Sequence, residues 1–249
     1  MPKMPVRHFI YLFIISVTVV KVPRPVCFIE ANTVLYLILA LVLPITALEL
    51  YLLIRRSYVI RGYLDQGDVN KFIEETDKEI KYAFGRHWRR YYQINKTAGL
   101  YYLGRFKEAI ALLDTIEYKK LQKIYRCLFV NNRLANLLGL EQIDEAEKLI
   151  RDNEEFIKPS IYNRKFYYAL QANLGIFKYL NGEREVGRYL LEESIKEHKS
   201  KLGLAVAHYY LGCIDRDERK DIEAAAHFEK AIEFGKGTYV NQILNGHTK

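Results

Sequence analysis

The chain has 249 residues and a formal net charge of +8; half of the residues are hydrophobic, with only 14 Gly and 6 Pro. That length suits one sizeable domain with an appendage, and the scarcity of turn-forming residues argues against a β-sandwich and for a helical protein. Cys27, Cys127 and Cys213 are odd in number and widely spaced, so neither a disulfide framework nor a zinc spacing follows and they read as reduced or buried thiols.

The charge is uneven along the chain. Residues 1–56 hold Lys3, Arg7, Lys21, Arg24, Arg55 and Arg56 against Glu30 and Glu49. Within them, 33–54 (TVLYLILALVLPITALELYLLI) is an apolar run with Glu49 as its one charge. At about 1.5 Å per residue it is long enough for a hydrocarbon core of roughly 30 Å. Arg55 and Arg56 follow it, and by the positive-inside rule they place the rest of the chain in the cytoplasm. The shorter apolar segment 9–20 reads as a first span, making a two-helix hairpin, or as a leader. Expected from these residues are a membrane anchor over 1–56 with a transmembrane helix at 33–54, an integral membrane protein, and a cytoplasmic domain over 57–249.

From residue 57 onward one pattern recurs. A turn position stands at Gly67, Gly104, Glu141, Gly182 and Arg219, at spacings of 37, 37, 41 and 37. Five residues after each comes Phe72, Ala109, Ala146, Gly187 or Ala224, at the same spacings. A fixed period of this size signals a helical solenoid whose units cannot bury their apolar faces alone. Each unit reads as two helices. In the last, Ala224, Phe228 and Ala231 share one helix face. The first helices carry Ala98, Ala135, Gly175 and Gly212 where close packing is needed. After Gly237, the segment TYVNQILN reads as a cap placing Tyr239, Val240, Ile243 and Leu244 over the last pair.

The Leu-Gly of YYLGCI in a first helix, followed by Ala224, Phe228 and Ala231 in the second, resembles the tetratricopeptide repeat family. The likeness covers about residues 57–234 and is best in the last unit. It departs in its longer period, in the displaced aromatic of the first helix and in the missing Pro after the second. The resemblance implies an all-α fold with a right-handed α-solenoid of about five helix pairs, in which first helices line a concave surface and second helices a convex one.

Charge is sorted between the two kinds of helix. The stretches 88–102, 121–138 and 160–180 each hold three bases and no acid, whereas 141–156 holds seven acids against Lys148 and Arg151. The resemblance turns this into a basic, tyrosine-rich groove, which would steer acidic partners; attraction between paired helices explains the same sorting. Arg89 and Arg126, Asn95 and Asn132, and Lys96 and Arg133 are each 37 apart, so neighbouring units carry equivalent polar groups. Arg and Lys suit carboxylates, and Asn suits a peptide backbone. The candidate groove is therefore Arg89, Tyr92, Asn95, Lys96, Arg126, Asn132, Arg133, Asn136, Arg164 and Lys165. GRHWRRYYQINK, residues 85–96, interleaves bases with aromatics as a peptide-binding wall would, or as a helix with its rings packed partly inside.

No nucleotide-binding loop, zinc-protease motif or nucleophile elbow is present in the sequence. His208, Cys213 and His227 fall in one unit, but nearby bases and packing account for them without a metal. The reading is a membrane-anchored adaptor that binds a protein or acidic peptide at the cytoplasmic face, with no catalytic residue, metal or cofactor and no nucleic acid. Its alternative is a membrane-linked sensor whose solenoid changes shape when a peptide or ligand binds.

Overall fold

The computed structural model describes residues 27–83, 85–157, 164–197 and 200–246, without the side chains of 27–35, 37, 38, 49, 50, 164–166 and 197. Every regular element among them is helical: α1 Cys27–Gln66, α2 Val69–Tyr82, α3 Gly85–Tyr102, α4 Phe106–Asp114, α5 Lys123–Gly139, α6 Ile143–Asp152, α7 Arg164–Leu180, α8 Arg184–Glu197, α9 Lys201–Asp217, α10 Asp221–Phe234 and α11 Tyr239–Leu244. Short 3-10 turns lie at Tyr118–Lys120 and Glu154–Phe156. Two compact units result, Met1–Tyr58 and Val59–Lys249.

The membrane expectation is corrected. Among the described residues no helix is long and apolar enough to cross a membrane. The apolar run lies inside α1, which contains Pro44. The transmembrane helix at 33–54 and the integral-membrane placement with cytoplasmic repeats are overturned by this finding. Segment 9–20, on which the hairpin depended, lies outside the described residues.

In the unit Val59–Lys249 the helices pack in repeat-like pairs, and one backbone device joins the members of each pair. Gly67, Gly104, Glu141, Gly182 and Arg219 all have positive φ, between 56° and 86°. At each, the following N–H reaches back to the carbonyl five residues earlier, as in Asp68 to Tyr63, Arg105 to Leu100, Gln142 to Leu137, Glu183 to Lys178 and Lys220 to Asp215, at 2.8 to 3.0 Å. The turn residue's own N–H bonds the carbonyl three before it, as from Gly104 to Tyr101 and Arg219 to Arg216. This is the Schellman closure of a helix, which satisfies carbonyls the helix would leave open. The next helix then starts with acids near its positive end, such as Glu108, Asp144, Glu185 and Asp221.

The turn fixes which residue of the second helix meets the first. Phe72, Ala109, Ala146, Gly187 and Ala224 are all buried. Close approach demands glycine on the first helices, at Gly99, Gly139, Gly175 and Gly212. A Cβ at Gly212 would lie 2.6 Å from the Phe228 ring, and one at Gly175 would lie 2.9 Å from Leu191 Cγ.

The array closes on itself. Tyr239 and Val240 of α11 are buried, and they join one core with Tyr101 of α3, Leu134 and Leu138 of α5, Leu170 and Ile176 of α7, and Tyr210 and Ile214 of α9. The Tyr101 and Tyr239 hydroxyls are 3.2 Å apart. Phe106 of α4 sets its ring edge-on to Tyr239 at 5.1 Å. At the start of α9, Leu202 enters a second core with Ile60, Phe72, Tyr92 and Leu100. Burial raises the Tyr102 hydroxyl to about 12, although its bond to Ser200 acts the other way. The cap expected over the last pair thus also packs against the pair α3–α4.

The turns differ in cost, because only glycine takes positive φ freely. Replacing exposed Arg219 by Gly removes that strain and should stabilise the fold by about 0.5–1 kcal/mol, read as a rise of roughly 1–4 °C in Tm. Gly104→Ala should act oppositely, costing about 2 kcal/mol or more. Its new methyl would meet Tyr239 Cβ at 2.9 Å as well as take a left-handed backbone. Thermal melts followed by circular dichroism would show both signs.

Candidate peptide-binding surface

Three basic residues of the expected groove, Lys96, Arg126 and Arg133, have intramolecular partners. Lys96 donates to both carboxylate oxygens of Asp77, at 2.7 and 2.9 Å. Arg133 donates to Asp114 at 2.6 Å. Asp77 and Asp114 lie on second helices α2 and α4, and the bases on the first helices that follow, α3 and α5. The same contact therefore repeats one unit later. Arg90 similarly reaches Glu117 at 2.5 Å. Arg126 donates to the carbonyls of Leu121 at 3.0 Å and Lys119 at 2.7 Å and stands over the Tyr118 ring. It pins the 3-10 turn that leads into α5.

The asparagines form a polar seam between successive first helices. Asn132, buried, donates from Nδ2 to the Ile94 carbonyl at 2.8 Å and to Thr97 Oγ1 at 3.2 Å. Asn173 of α7 donates to Asn131 Oδ1 at 2.9 Å. Asn136 is fully buried and donates to the Asn132 carbonyl at 2.7 Å. Such bonds offset the cost of burying polar groups, although Asn136 Oδ1 itself finds no partner among the described residues. Tyr92 is buried, Asn95 partly exposed and Arg89 exposed. Arg164 and Lys165 lie at the start of α7, with their side chains outside the described residues.

A different arrangement reaches solvent at the starts of α3 and α5. His87 and Tyr91 are one turn apart on α3, and both contact Tyr125 of α5. The His87 and Tyr125 ring centroids are 4.8 Å apart, those of Tyr91 and Tyr125 are 5.5 Å apart, and His87 Nε2 lies 3.2 Å from the Tyr125 hydroxyl. Trp88 sets its ring perpendicular to Tyr91 at 5.9 Å and packs on the core of α2 and α3. Burial raises the Tyr125 hydroxyl above its ordinary range. Around this cluster Arg86, Arg89 and Lys123 are exposed, as is Ile124 at 57%. Neither α3 nor α5 has an acid in its first turn, so the positive ends of both helix dipoles add to the bases. Aromatic rings anchored from behind and rimmed by cations suit a partner with both apolar and acidic side chains.

Sequence reading identified GRHWRRYYQINK but missed Tyr125 as its partner across the unit boundary. It also missed Asp77 and Asp114. The signal for these was available, since the two acids stand 37 apart, the same interval as Lys96 and Arg133.

The asparagine seam is open to direct test. Asn132→Ala strips the Ile94 carbonyl and Thr97 of a buried donor and should cost about 1–3 kcal/mol, measured by urea unfolding. No family model matches this chain, and neither a curated protein nor a solved structure matches it.

Proposed function

We propose that the chain is a helical-repeat adaptor, similar in its helix pairing to tetratricopeptide proteins, that holds a protein partner through an acidic peptide segment. The observation that carries this reading is the cluster of His87, Trp88, Tyr91 and Tyr125 rimmed by Arg86, Arg89 and Lys123. Lys96, Arg133 and Arg90 hold acids of their own chain, which moves the recognition surface from the inner faces of the first helices to their starts. The rings would supply contact area at small entropic cost, and the bases would draw in carboxylates and set register. The role is binding rather than catalysis, with no cofactor.

The probe is a short fluorescent peptide alternating glutamate with aromatic residues, titrated by anisotropy against the full chain. Arg86→Glu with Arg89→Glu should weaken its binding about tenfold or more, equivalent to roughly 1.4 kcal/mol, and the affinity of the parent chain should fall as salt rises. The melting curve should hardly change, because exposed substitutions usually cost within about 0.5 kcal/mol. Undiminished binding by a folded double variant would reject this surface. No binding by the parent chain of either this peptide or its glutamine counterpart would reject acidic-peptide recognition altogether.

A further inference from the structure

The pair α9–α10 sets two imidazoles against each other. His208 on α9 is 6% exposed, and its Nδ1 lies 2.8 Å from Nδ1 of His227 on α10. At that distance one proton must sit between the two nitrogens, since two lone pairs repel and two N–H groups overlap. On the far side of the His227 ring, Nε2 is 3.7 Å from Oδ2 of Asp215. That oxygen is buried and has no hydrogen-bond partner among the described residues. The neutral arrangement that satisfies both contacts turns His227 Nε2–H toward Asp215 and lets His227 Nδ1 accept from His208 Nδ1–H.

Charges face this pair from three helices. Arg188 and Glu192 come from α8, Asp215 from α9 with Glu218 just beyond its end, and Lys230 from α10. Arg188 lies 2.7 Å from Asp215 Oδ1 and 2.9 Å from Glu218, so the Asp215 charge is already partly spent on a permanent cation. The Phe234 ring is 6.0 Å from His208 and offers its charged form no solvation. One added proton can be held on His227 beside Asp215. A second would leave both rings charged and set N–H against N–H at the 2.8 Å contact. Among the described residues no set of three His, Cys, Asp or Glu side chains is placed to hold a metal. Cys213, in the same helix pair, meets Arg216 instead.

We propose that His208 and His227 form a proton-operated latch on the C-terminal helix pair, closed when at most one added proton is on the two rings and released when both are charged. Burial depresses His208 to about 4 from an ordinary 6.5, and burial also lowers His227. The unfolded chain therefore takes up protons first. The contribution of the latch is whole above about pH 6.5 and is lost as pH falls toward about 4. Because α11 follows α10 and buries Tyr239 against Tyr101, release of the latch also loosens the closure of the array.

Hydrogen exchange of the full chain, corrected for the intrinsic pH effect, reads this by segment. Between about pH 7 and pH 5, amides of α10 and α11 should lose protection about tenfold or more relative to those of α4 and α5. His208→Phe with His227→Gln should abolish that differential loss. An equal loss in all helices, or a differential loss that survives in the folded double variant, overturns the latch. If the variant does not fold, the imidazole proton resonances of the parent chain decide. Titration of both rings below about pH 6 supports the latch, and independent titration near the ordinary value of about 6.5 rejects it.

Discussion

Everything in the repeat unit depends on one backbone conformation, the left-handed residue that closes each first helix. It ends that helix with two backbone hydrogen bonds and sends the chain back along it. Five residues later the returning helix must present something that fits against its partner, and every time it does: Phe72, Ala109, Ala146, Gly187 and Ala224 are buried. Two of the five turns use Glu141 and Arg219 in place of Gly. The motif thus tolerates a local strain of about 1 kcal/mol because the packing on both sides fixes the turn. A repeat in sequence becomes a repeat in space through this device, and apolar burial then accumulates pair by pair.

Electrostatics follow from the same geometry. Interfaces between units bring opposite charges together: the base stands on the first helix in Lys96–Asp77 and Arg133–Asp114 and on the second helix in Arg188–Asp215. The first two pairs are partly exposed, so each contributes little to stability. Their effect is on register, since a slip along the stack would set like charges together. Arg86, Arg89 and Lys123, at the starts of α3 and α5, stay exposed, and under the proposed function they are the groups left for a partner.

The periodic part of the fold was legible because it rests on local chemistry. A turn residue at 67, 104, 141, 182 and 219 and a small or apolar residue five positions on can be found by counting. The partners of charged side chains were less legible, since Lys96 meets Asp77 across a boundary between units and the sequence shows only that both recur. The folding back of α11 was invisible. Nothing in TYVNQILN states that Tyr239 will meet Tyr101, a contact spanning 138 residues, because that depends on the summed rotation of every intervening pair. The apolar run at 33–54 was read by composition and length alone, and that reading is overturned by the finding that no described helix is long and apolar enough to cross a membrane. At the candidate surface, Trp88 and Tyr91 stood out as an aromatic-basic segment, but Tyr125 entered only through the stacking of α5 on α3.

The contact between Tyr101 and Tyr239 has a topological meaning. An open array of helix pairs is a line: it frays from its ends, and in principle a pair can be added or removed with only local effect. Here the last element rests on the second pair, and Leu202 of the fifth rests on the first. The line has become a loop whose circumference is set by the number of pairs. Duplication of a pair would move Tyr239 away from Tyr101, and deletion would drive the two together. Closure of this kind therefore couples the number of pairs to the packing of Tyr239, so that a change of length at any pair is felt at that contact.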